Sequence, residues 1–154
     1  MGLLMSSWLL ALASATPLQI TAEHWGGFSD TVQWRMELDG SQGVLFASDE
    51  RYRHSLTVDA AALDQVRLLA DKIGFWDLKA SYGRGHVEFN RCRLSIVQGA
   101  RKKTVVLLAY PKREPPVGSE ADEVRRAFLI WDAVKKLAGL SGLDDDCRAQ
   151  LNMR

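Results

Sequence analysis

Residues Tyr82 to Cys92 read YGRGHVEFNRC and bring together several side chains able to do chemistry. His86 and Glu88 stand two apart, so an extended segment projects both to one side, as an acid–base pair or two metal ligands would require. The rest of the sequence completes neither arrangement. A metal site takes three or four ligands, and the other histidines are His24 and His54. Hydrolysis through a covalent intermediate needs a nucleophile beside a base. There is no GxSxG or HExxH motif, and neither cysteine neighbours a histidine. A small hydrolase-type enzyme using His86 and Glu88 is therefore the second reading, with no metal site and no cofactor assigned. Gly83-Arg84-Gly85 has two glycines of a phosphate-gripping loop, but it lacks the Lys-Ser/Thr ending and leads into a strand.

The arginines behind that stretch carry the first reading. Val87 and Phe89 share one parity, whereas Cys92, Leu94 and Ile96 share the other, so a bulge near Asn90 is expected. With Cys92, Leu94 and Ile96 turned inward, Arg91, Arg93 and Ser95 turn outward. The same reasoning turns Arg35, Arg51 and Arg53 outward. Five arginines from three strands then share one open sheet face. Their planar forks suit carboxylates and phosphates, so the face fits an acidic protein or an anionic envelope component. A solvated face neutralised by Glu37, Asp49, Glu50 and Glu88 accounts for the same residues without a partner. Sheets that bind nucleic acid interleave exposed aromatics for base stacking, and Tyr52 and Trp34 have inward parity, which argues against nucleic acid.

The elements that must hold these residues follow from periodicity. TVQWRMEL over 31–38 alternates strictly and predicts a half-buried strand, with Val44 to Ala47 returning after the turn formers of DGSQG. A third strand is expected over Tyr52 to Val58, with His54, Leu56 and Val58 on one face. Asp59 offers an N-cap to a helix whose stripe is Leu63, Val66, Leu69, Ala70 and Ile73, and Gly74 closes it. Two more strands are expected at Arg91 to Gln98 and Lys103 to Tyr110. The prolines of PKREPPVG exclude helix and central strand. Ser119 and Asp122 resemble a capping box before a second helix carrying Val124, Ala127, Phe128, Trp131, Val134 and Ala138. The expected fold is an α+β domain over 31–139. It has an antiparallel sheet of about five strands and two helices packed on one face, leaving the other face in water. Residues 16–30 read as a lead-in loop and 140–154 as a polar tail.

The chain of 154 residues carries a net charge of +1, with no overall pull toward nucleic acid or membrane, but its middle third is basic. At the N-terminus, MGLLMSSWLLALASATP holds a short apolar run and then Ala13-Ser14-Ala15, which predicts a signal peptide over residues 1–15 and export to the periplasm or beyond. No lysine or arginine precedes the run, a departure from the usual signal pattern. The run is too short to cross a bilayer, so no transmembrane segment is expected in the mature chain. Cys92 and Cys147 form an even pair that an oxidising compartment would allow to bridge.

The order of VQWRMELDG, LTVDAAALDQVRLLADKIGFWDLKASYG and RLSIVQGARKKTVVL resembles small exported bacterial α+β domains of unknown function with a hairpin, helix, hairpin, helix plan. The likeness spans roughly Thr31 to Leu137 and rests on turn glycines, an apolar helix and the Phe75-Trp76 pair. It implies an envelope or secreted protein and assigns no catalytic residue.

Overall fold

The computed structural model describes residues 16–26, 32–47, 52–83, 91–108 and 116–141. The first element corrects an expectation: Leu18–Trp25, read as part of a lead-in loop, is strand β1. Its alternation is regular, with Leu18, Ile20, Ala22 and His24 buried and Gln19, Thr21, Glu23 and Trp25 turned the other way. Strand β2 (Val32–Asp39) runs antiparallel beside it and joins β3 (Gln42–Ala47) through a two-residue turn at Gly40-Ser41, where Gly40 takes φ +60°. Strand β4 (Tyr52–Thr57) then forms one edge of the sheet.

Helix α1 (Ala60–Lys72) starts where Asp59 accepts the Ala61 N–H at 3.0 Å and ends at left-handed Gly74. A 3-10 turn over Phe75–Asp77 leads to β5 (Ser81–Tyr82), a two-residue strand at the opposite edge. Strands β6 (Arg91–Gln98) and β7 (Arg101–Leu107) form the second hairpin, and β5 pairs with β7 in parallel. Helix α2 (Gly118–Leu137) follows. The sheet order is β4-β3-β2-β1-β6-β7-β5, so the fold is α+β, with two helices and seven strands among the described residues, all antiparallel save one pair. The five expected strands are all there, and β1 and β5 are the additions.

A single core cluster joins inward strand residues such as Trp34, Met36, Leu94, Ile96 and Val105 to Val66 and Ala70 of α1 and to Val124, Phe128, Trp131 and Val134 of α2. Trp131 stacks on Trp34 with ring centroids 5.4 Å apart. Each large apolar side chain buried in this way contributes roughly 1.5–3 kcal/mol. The buried strand residues share one parity in each strand, which puts the helices on that face and leaves the other parity turned away from the core.

Three smaller expectations change. The capping box at Ser119 does not form: α2 begins at Gly118, with Val117 in the cap position and no side-chain capping bond. The tail does not begin at Leu140, because that residue is buried. Its N–H bonds the Lys135 carbonyl at 2.8 Å while Gly139 takes φ +72°, a Schellman closure of α2. His54, which shares its parity with Leu56 and Val58, is exposed on the edge strand β4. Cys92 is buried and disulfide-bonded, and Cys147 lies outside the described residues.

Candidate functional site

The pairing register decides which side chains meet on the open face. Arg53, Phe46, Arg35, Glu23, Arg93, Val106 and Ser81 stand side by side in one row that crosses all seven strands. Arg91 and Trp25 form a paired position one step further along β6 and β1. Four of the five arginines predicted to share this face therefore do so: Arg35, Arg53, Arg91 and Arg93. Arg51 lies outside the described residues, as do His86, Glu88 and the expected bulge at Asn90.

Each cation has an identifiable neighbour. The Arg35 guanidinium carbon lies 4.6 Å from the Phe46 ring centre, and Arg53 approaches the same ring at 5.6 Å. Arg35 Nε is also 3.0 Å from Glu37 Oε1. Arg91 sits over the Trp25 ring at 4.6 Å. Glu23 lies between two arginines in the register: its Oε2 accepts the Trp25 indole N–H at 3.2 Å and stands 3.9 Å from Arg93 Nη1. Arg93 is the most outward of the ion-paired arginines of this row, with its side chain 53% exposed against 24% for Arg35.

Beside the charged row runs a row of short hydroxyl side chains, Thr21, Ser95 and Thr104, in which Ser95 Oγ and Thr104 Oγ1 are 2.7 Å apart. Short residues between long ones make the sheet surface concave. Two hollows result, of about 440 Å³ and about 260 Å³, which share Arg93 and Thr104. The larger is lined by Trp25, Ala80, Arg91, Arg93, Thr104 and Val106, and the smaller by polar groups that include Glu23 and Lys102. Among the described residues, the face over β1, β6 and β7 thus presents Arg91, Arg93 and Lys102 around one carboxylate, that of Glu23, an arrangement that attracts anions.

The described histidines, His24 and His54, have core-side parity and stand away from these hollows. Among the described residues, no group of three or more His, Cys, Asp or Glu side chains is placed to hold a metal ion. No described helix is long and apolar enough to cross a membrane.

Sequence reasoning missed Glu23, Trp25 and Phe46. The alternation of LQITAEHW was the available signal for the first two, and the parity of Phe46 within β3 for the third. Their presence changes one argument, since aromatic rings do occupy the open face. Each already has a guanidinium over it, which leaves less ring surface for a stacked base. No protein-family model matches the chain, and no curated protein sequence matches it.

Proposed function

We propose that the protein is an exported, non-enzymatic binding module that holds an anionic partner, an acidic protein or an anionic envelope component, on its open sheet face. The observation that carries this reading is the transverse row in which Arg53, Arg35 and Arg93 stand in register, with Arg91 beside it. Guanidinium groups fixed on a sheet give geometry as well as charge, so carboxylates or phosphates are met by several forks at once. Export is supported by the apolar N-terminal run, by the resemblance to small exported bacterial domains, and by the bonded state of buried Cys92, which suits an oxidising compartment.

The test is charge reversal at Arg53 and Arg93 together. Reversal at Arg93 sets a like charge opposite Glu23 and reversal at Arg53 removes a cation from the Phe46 ring, each costing up to about 1 kcal/mol, so the melting temperature should fall by several degrees with the fold retained. Retention on heparin-agarose at moderate salt should be lost. Retention equal to that of the wild type removes the reading. N-terminal sequencing of protein recovered from the native host checks export, for which a start near Thr16 is expected.

A further inference from the structure

The larger hollow differs in character from the rest of the face. The Trp25 ring, Val106 and Ala80 line it with carbon, and Arg91 and Arg93 line it with cations. Those two arginines are two residues apart on β6, so their stems leave the strand roughly 6.6 Å apart and can bracket one carboxylate or one phosphate. At about 440 Å³ the hollow is within the range of roughly 300–1,000 Å³ typical of small-molecule sites, which are mostly apolar with a few placed polar groups.

We infer that this hollow takes a small organic anion with an apolar body, its charged head held by Arg91 and Arg93 and its body lying against Val106, Ala80 and the part of Trp25 that the Arg91 guanidinium leaves uncovered. The inference deepens the open-face reading and rests on it, because the same arginines supply the charge. Glu23 adds an internal competitor. Its carboxylate is 3.9 Å from Arg93 and is anchored by the Trp25 indole N–H, and the side chain as a whole is only 14% exposed. An incoming anion has to draw Arg93 away from Glu23, so neutralising Glu23 tightens binding, whereas neutralising Arg93 loosens it. Opposite signs from two neighbouring residues are not what loss of folding produces. A glutamine at position 23 keeps a carbonyl oxygen for the Trp25 N–H and removes only the competing charge.

The experiment is an NMR titration of the full chain with 1-naphthoate, with acetate and neutral 1-naphthalenemethanol as controls. Naphthoate should shift the Trp25 indole signal and the amides of Arg91 to Ser95 and Thr104 saturably, and acetate at equal concentration should not. Arg93→Gln should weaken naphthoate about tenfold, the loss typical of one charge-assisted hydrogen bond. Glu23→Gln should tighten it severalfold. Equal binding of naphthalenemethanol, no saturable binding of naphthoate, or weaker binding in Glu23→Gln overturns the inference. Heparin retention of the same samples separates the two claims. Retention that depends on Arg53 and Arg93 without naphthoate binding removes the hollow's ligand and keeps the binding face. Naphthoate binding without retention supports the hollow and removes the macromolecular partner.

Discussion

Asp71 shows how one side chain can join three elements. Its Oδ1 accepts the Trp76 indole N–H at 2.9 Å and Arg101 Nη1 at 3.1 Å, and the Arg101 guanidinium lies over the Trp76 ring at 4.3 Å. The Trp76 hydrogen bond leads in holding the Asp71 carboxyl below the ordinary carboxylate range, opposed by its partial burial and helped by Arg101 and Arg67. A depressed carboxylate stabilises the fold above its unfolded pKa, and the contribution is lost as pH falls through the lower folded value. Because the side chain is 42% exposed, that contribution stays under about 1 kcal/mol. Asp71→Asn should therefore melt slightly below the wild type at about pH 6, and the gap should close toward about pH 3 in a pH series of melting curves. Contacts of this kind are invisible to periodicity, since Arg101 is thirty residues from Asp71. The outward parity of Arg35, Arg53, Arg91 and Arg93 could be read, because side-chain alternation is a local property of an extended chain. Which residues stand opposite them is set by register, a tertiary quantity, and so Glu23 and Phe46 went unrecognised as their partners.

Gly43 illustrates why β2 and β3 can pair as closely as they do. A Cβ at this position would run into the Glu37 carbonyl oxygen and lie 2.7 Å from Leu38 Cδ2. Gly40, in the turn before it, has room for a Cβ, with Pro17 the nearest neighbour at 3.9 Å, and only its φ of +60° resists substitution. Gly40→Ala should cost about 1 kcal/mol, the usual strain of a left-handed L-residue. Gly43→Ala should cost about 2–3 kcal/mol, at the upper end of ordinary point mutants. Urea unfolding of the two variants checks the order, with the midpoint falling further for Gly43→Ala and the slope unchanged. At this scale β2, β4, β6, β7 and both helices followed from apolar spacing, because each presents several apolar side chains at one period, and β3 followed from the turn formers before it. Strand β1 escaped because Ala22 and His24 dilute its inward row, and Gly26-Gly27 and Pro17 at its ends read as loop. Strand β5 has two residues, too few for any period, and is held in parallel by Val106 and Leu108 N–H bonds to Ala80 and Tyr82 carbonyls.

The whole sheet depends on β1 as its middle member. It pairs along eight positions with β6 and along seven with β2, and without it the strands divide into a β4-β3-β2 group and a β6-β7-β5 group. A chain starting at Thr31 should therefore fail to fold, although it holds nearly every periodic segment, whereas one starting at Thr16 should fold. Near-ultraviolet circular dichroism and amide dispersion in NMR spectra separate the two outcomes. The strand in the middle of the sheet also precedes the other described strands in the chain, and it pairs Leu18 with Gln98. One flank of a strand-forming segment therefore stays bare until eighty more residues have been added, an interval in which stray hydrogen-bonding edges invite self-association. Folding of this polypeptide should consequently benefit from a holding factor that shields β1, and refolding from denaturant should lose yield steeply as protein concentration rises.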